Sequence, residues 1–252
     1  MYKAIGICSN MQNKLINTAI INWNDKQTPV SSLFDDVYFS NEDPCAETRF
    51  VFIDSNHLPE RFIQHQHSQF VIGETGFGSG LNFLLAWQLF NQFRQQYPHH
   101  PLKQLHFISV ENYLLTPNDV EKIHAYYHEL AALARQLQQQ WPAPIAGNVN
   151  LTFENSKLTL WLGDISEYSQ FLQQANLKVD CWFFDGFAPA KNQAMWSETL
   201  FKQLFQQTQP MGTFATFTAA GFVRRNLQAA GFNVNKQKGF GRKREMLIGN
   251  KM

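Results

Sequence analysis

From residue 70 onward the chain breaks into short apolar blocks that switch between two periods. Residues 70–73 and 105–110 are nearly continuous apolar runs, which predict buried strands. Between them, residues 81–97 carry apolar positions at helical spacing, and Pro98 ends the helix. Pro117 is well suited to a first helical position and predicts a long helix to about residue 141. Residues 150–153 and 158–162 predict a hairpin, with Glu154-Asn155-Ser156 near its turn. Helices at 165–175, 196–207 and 222–230 then alternate with strands at 179–184 and 213–217. Val234 and residues 246–248 fall in closing strands. This alternation implies an α/β fold whose mostly parallel central sheet is covered on both faces. Residues 14–53 lack it and read as short strands and loops, anchored by Trp23, Phe34, Tyr38, Phe39 and Phe50. The expected organisation is a small β-rich N-terminal extension, residues 1–60, packed on a core domain, residues 61–252.

The 252 residues, 44% of them hydrophobic, can bury a sizeable core. No apolar run approaches the roughly 20 residues that a membrane span needs. Residues 1–10 hold one lysine and no sustained apolar stretch, so no signal peptide is expected. Cys8, Cys45 and Cys181 are widely spaced, without a CxxC pair, which argues against a disulfide framework or a structural zinc site. A reducing cytoplasm is the expected setting. The net charge of +1 hides an asymmetry. Residues 221–252 hold eight Lys/Arg and one acid, Glu245, a net +7; the remainder holds 13 basic and 19 acidic residues, a net −6. Such a segment is either a face built for an anion or a solvated tail.

The strongest chemical signal is Glu74-Thr75-Gly76-Phe77-Gly78-Ser79-Gly80, between a predicted strand and a predicted helix. Glycines at 76, 78 and 80 allow a tight turn and close approach of a ligand to the backbone. The spacing is neither that of a dinucleotide fold nor that of a P-loop, and no lysine is present. The leading Glu74 would repel a phosphate but suits the cationic amino group of a methionine moiety. Glu111 ends the second strand, where a carboxylate can accept from both ribose hydroxyls. Asp164 follows the third, where it can accept from an adenine amine or cap the helix at 165; the residues leave both open.

Asp185 follows the apolar run Cys181-Trp182-Phe183-Phe184 at the edge where doubly wound sheets bind ligands. A carboxylate there can accept hydrogen bonds from an incoming amine, aim its lone pair at a methyl group, and take a proton. Methyl transfer from a sulfonium is an in-line displacement, and orientation of this kind is worth roughly 7–11 kcal/mol. Desolvation would raise Asp185 toward the range of a useful base. Phe187 and Pro189 can wall the pocket or stack on a base.

Several runs resemble the methyltransferase half of the bifunctional tRNA 5-methylaminomethyl-2-thiouridine biosynthesis (MnmC) family. They are residues 34–40 (FDDVYFS), Glu47-Thr48-Arg49, the 74–80 loop, residues 185–192, residues 217–225 (FTAAGFVRR) and residues 238–247 (KGFGRKREML). The likeness extends from about residue 29 to 247. It implies a class I (Rossmann-like) S-adenosylmethionine-dependent methyltransferase acting on the amine of 5-aminomethyl(-2-thio)uridine at the tRNA wobble position. By the same resemblance Glu74, Gly76, Gly78, Glu111 and Asp164 bind the cofactor, with Gly80 completing the loop, and Asp185 sits at the amine. Phe187, Pro189, Lys191, Arg224, Arg225, Arg242, Lys243 and Arg244 are the expected substrate contacts, with a tRNA anticodon stem-loop as partner and no membrane. Family members carry a FAD-dependent oxidase domain beyond this point; that step is expected from a separate chain or a longer parent protein. Met211 stands where a glycine is expected in a Pro-Gly-Gly turn, which touches only the turn geometry.

His124 and His128 fall at i, i+4 of the predicted long helix, a metal-capable spacing. Without an H-E-x-x-H pattern or a third ligand they read as ordinary helix residues, and no metal is expected. Two other functions compete. A methyltransferase for a small-molecule or protein amine would not need the basic C-terminal segment. A non-catalytic RNA-binding scaffold would have lost Glu74, Asp185 or a loop glycine, and all are present.

Overall fold

The structure is a computed structural model that describes residues 14–40 and 42–252; Cys8 lies outside them. The chain opens with four short strands, β1 (Asn17–Thr18), β2 (Ile21–Trp23), β3 (Pro29–Ser31) and β4 (Asp36–Val37). Then come α1 (Pro44–Thr48), a π-helical segment (Arg49–Asp54) and α2 (Leu58–Gln64). The expectation of strands and loops through residue 53 therefore holds only as far as β4. The helical start is written in the sequence: Asp43 accepts from the Ala46 amide at 2.9 Å, and Pro44 follows at the first helical position. The consecutive apolar residues Val51, Phe52 and Ile53 are all buried. Such a run has no helical stripe to read.

The core alternates strand and helix. It comprises β5 (Gln69–Thr75), α3 (Leu81–Gln96), β6 (Gln104–Glu111), β7 (Tyr113–Leu114), α4 (Pro117–His124), α5 (Ala131–Gln139), β8 (Gly147–Thr152) and β9 (Ser156–Leu162). It continues with α6 (Ile165–Gln174), β10 (Val179–Phe184), α7 (Glu198–Gln207), β11 (Thr208–Thr216), α8 (Gly221–Ala230), β12 (Asn233–Gln237) and β13 (Met246–Asn250). Eight strands form one sheet in the order β12-β13-β11-β10-β5-β6-β9-β8. The five inner strands, β11 to β9, run parallel; the two edges close antiparallel. The sheet is buried on both faces. Cys181 and Phe183 of β10 enter one core with α3 residues such as Phe83 and Trp87, while Trp182 and Phe184 enter a second with Tyr168, Phe201 and Leu227. Each such aromatic contributes about 1.5–3 kcal/mol by leaving water.

The chain runs outward from β5 through β6 to β9, then returns to place β10 on the other side of β5. Strand order reverses between β5 and β10, which opens a crevice at their carboxyl ends. Thr75 pairs with Phe184 in register, so the 76–80 loop and Asp185 leave the sheet side by side.

One predicted helix is broken. α4 ends at His124, and a 3-10 turn (His128–Leu130) precedes α5. His124 and His128 are therefore not one turn apart on a common helix. Tertiary contacts break it: Tyr127 is fully buried with its hydroxyl 2.9 Å from Ser79 Oγ, and His124 Nε2 lies 2.8 Å from the Ser79 carbonyl oxygen. Met211 takes a positive φ of 61°, the conformation for which a glycine was expected.

Candidate active site

The 76–80 loop is held by its backbone. The amides of Gly76 and Phe77 donate to the Val110 carbonyl at 3.2 and 3.1 Å, and the Gly78 amide donates to Glu111 Oε2 at 2.9 Å. Gly76 has φ +88°, and a Cβ there would meet the Cα of Gly186 at 3.3 Å, where the two loops touch. Gly78 has φ +53° and faces the Tyr38 ring. Gly80, the N-cap of α3, lies outside the lining of the cavity that this loop borders.

That cavity has a volume of about 300 Å³. Its walls include Gly76, Gly78, Asn82, Glu111, Asp164 and Asp185. Glu111 Oε1 accepts from the Tyr113 amide at 2.8 Å, so each of its oxygens holds one backbone N–H and keeps further acceptor capacity. Burial raises its carboxyl, against the pull of those amides. Asp164 both caps and lines: Oδ1 accepts from the Ser166 amide at 2.9 Å and the Ser166 hydroxyl at 2.6 Å, while the residue borders the cavity. The helix cap is formed, and the same residue stands on the cavity wall.

Glu74 lies behind this wall. It is 1% exposed and holds two donors, the Asn82 amide at 2.8 Å on Oε1 and the Ser109 hydroxyl at 2.6 Å on Oε2. Burial drives its carboxyl well above the usual carboxylate range, and the nearby Asp185 adds to the rise. Asp185 is half-buried; Oδ1 accepts from the Gly186 amide at 2.8 Å and Oδ2 from Asn82 at 2.7 Å. The Thr75 hydroxyl donates to the Asp185 carbonyl at 2.8 Å and accepts its amide at 3.1 Å. Burial pushes the Asp185 carboxyl up to about 6, Glu47 adds to the rise, and Gly186, Asn82 and Lys243 oppose it.

A second, open groove of about 930 Å³ adjoins the cavity. It shares Val37, Tyr38, Phe39, Asp185 and Gly186 with it. Its far side carries Phe217, Phe240, Arg242, Lys243 and Arg244. Lys243 pairs with Glu47 at 2.8 Å and lies 4.9 Å from the Phe217 ring centroid. Among the described residues Arg242 and Arg244 are in no ion pair.

The expected substrate residues divide. Pro189 lines the groove, whereas Phe187 lines the cavity, stacked on Phe34 at 4.6 Å and edge-on to Tyr38 at 5.3 Å. Lys191 contacts the Asp35 carbonyl and lies 3.5 Å from its carboxylate, outside both linings. Arg224 and Arg225, early in α8, also lie outside both; Arg224 Nε is buried without a hydrogen-bond partner among the described residues. Sequence reading missed Asn82, Ser109 and Thr75. Asn82 left a trace as a polar residue within the buried start of α3, and Thr75 stood inside the glycine-loop motif without a role. It also missed the roof: residues 34–39 cover the cavity, and Asp36 Oδ2 accepts from the Ala188 amide at 2.8 Å to fasten that roof to the loop after β10.

Residues 128–252 match the model of a family described as S-adenosyl-L-methionine-dependent methyltransferase. Among solved structures, MnmC2 from Aquifex aeolicus is 20% identical with a TM-score of 0.67, over 93% of this chain and 70% of that one. SAM-bound CalS10, an amino pentose methyltransferase from Micromonospora echinaspora, is 10% identical with a TM-score of 0.41, over 85% and 98%. At these identities a structure speaks for the fold, and only the first is near enough to do so. The resemblance read from the sequence holds, the fold is that of an α/β methyltransferase, and the cofactor is S-adenosylmethionine. The site fits it: a cavity of about 300 Å³ is bordered by the glycines of the 76–80 loop and by the carboxylates of Glu111 and Asp164. Among the described residues no helix is long and apolar enough to cross a membrane.

Proposed function

From the premise that the chain is an S-adenosylmethionine-dependent methyltransferase, we propose that its substrate is the amine of 5-aminomethyl(-2-thio)uridine at the tRNA wobble position, and its product the 5-methylaminomethyl form. One observation carries this reading: Asp185 borders both the cavity and the more open groove, whose far side carries Arg242, Lys243 and Arg244 beside Glu245. A group presented from the groove therefore reaches Asp185 without entering the cofactor's space.

The cofactor supplies an electrophilic methyl group. Gly76 and Gly78 let it approach the backbone, and Glu111 and Asp164 offer acceptors for ribose hydroxyls and the adenine amine. Glu74 holds Asn82 from behind by accepting one of its amide hydrogens. Asp185 accepts hydrogen bonds from the incoming amine, orients its lone pair, and takes the proton that the nitrogen loses. Positioning by these fixed groups supplies much of the rate. In the groove, Arg242 and Arg244 bind phosphate bidentately, and Phe217 and Phe240 offer faces for a base turned out of its stack. Lys191, Arg224 and Arg225 would meet the RNA beyond the groove.

Incubation with S-adenosylmethionine and bulk tRNA carrying the aminomethyl nucleoside, followed by nucleoside mass spectrometry, tests the proposal. The expected product is the nucleoside with one added methyl group. An unchanged nucleoside profile, with methylation of a free or protein amine instead, would select the competing methyltransferase.

A further inference from the structure

Asn82 lies in the first turn of α3 and is 6% exposed. Its amide is fully engaged by three separate elements. Nδ2 donates to Glu74 Oε1 at the end of β5 and to Asp185 Oδ2 just past β10, while Oδ1 accepts from the Thr48 hydroxyl at the end of α1 at 3.0 Å. A primary amide has two N–H bonds and one oxygen. Once Thr48 claims the oxygen, both N–H bonds must face the carboxylates. The opposite orientation would set an amide oxygen against them.

We propose that Asn82 is a positioning residue: oriented by Thr48, its amide fixes the Asp185 carboxylate at the wall between cavity and groove. The proposal rests on the role given to Asp185 above. The titratable groups facing Asp185 are Glu74 through the shared amide, Glu47 on α1, and Lys243 on the loop before β13. Burial and Glu47 oppose its ionisation; Lys243, the Gly186 amide and Asn82 favour it. Removing the Asn82 bond leaves the opposing influences stronger, so Asp185 should titrate at higher pH. Thr48→Val is nearly isosteric, keeps Asn82, and removes only the contact that orients it.

The test is a carbon-13 NMR titration of aspartate-labelled protein, with the resonance missing in Asp185→Asn assigned to Asp185. In the wild type its midpoint should lie at about 6. In folded Asn82→Ala and Thr48→Val it should rise by about one pH unit, and Thr48→Ser should restore the wild-type titration. Turnover of Thr48→Val should fall about tenfold, with its acidic limb moved by the same amount. An unmoved midpoint in both variants, with or without a lower melting temperature, overturns the proposal. The titration needs no substrate. A wild-type enzyme that methylates no RNA therefore defeats the proposed function and leaves this inference to be judged on the titration alone.

Discussion

The cavity and the groove meet at Asp185 but are built from different materials. The cavity's glycine wall is made of backbone: loop amides fixed to Val110 and Glu111, and a glycine whose Cβ would crowd the neighbouring loop. The groove's rim is made of exposed side chains, among them Arg242 and Arg244. A site of the first kind is fixed by the fold and fails abruptly when an atom is added. A site of the second kind is a sum of screened charges and weakens by degrees.

The largest effect should come where the two regions meet. Asp185→Asn keeps the shape and removes the base, so turnover should fall about 10²–10⁴-fold with cofactor affinity nearly unchanged. Steady-state kinetics beside calorimetry separates the two quantities, and turnover near that of the wild type would make Asp185 purely structural. Next is the cavity. Gly78→Val forces a β-branched residue to a φ of +53° beside Tyr38, a conformation that costs about 1–3 kcal/mol, and should weaken cofactor binding in a variant shown to be folded. Unchanged affinity would remove this loop from the cofactor site.

The pH dependence is of intermediate size. A carboxyl raised to about 6 is charged only above that value. Turnover should therefore be full above it and fall as pH drops through it, with a limb that Asp185→Asn lacks. A limb near the ordinary carboxylate value would place the Asp185 side chain in water.

The smallest single effects belong to the groove. Arg242→Ala and Arg244→Ala should each raise the KM for tRNA and reduce the slope of log affinity against log salt by about 0.7–0.9 per lost phosphate contact. Cofactor affinity should not change. A lowered melting temperature with an unaltered slope would mean that these cations serve the protein's own acidic surface.

The same division explains what could be read from the sequence. The β5 and β10 runs, the glycine loop and the residue after each strand were legible, because strand burial and tight turns leave local patterns. The basic segment was legible because charge is visible in composition. The roles of Asn82, Thr48 and Ser109 were not, since a hydrogen bond across β5, β6, α1 and α3 has no spacing in the chain. The break after His124 was hidden for a similar reason: it is imposed by Ser79, 45 residues away. Residues 34–39 read as anchors of an extension, and only the folded chain shows Phe34 and Tyr38 against Phe187, roofing the cavity.

The most direct test of the central claim is a single-turnover assay on an anticodon stem-loop with 5-aminomethyl-2-thiouridine at the wobble position and labelled S-adenosylmethionine. Wild-type enzyme should place one labelled methyl group on the amine nitrogen, and Asp185→Asn should bind both ligands yet transfer almost none. Equal transfer by the two proteins, or label on a free amine and none on the RNA, would contradict the account.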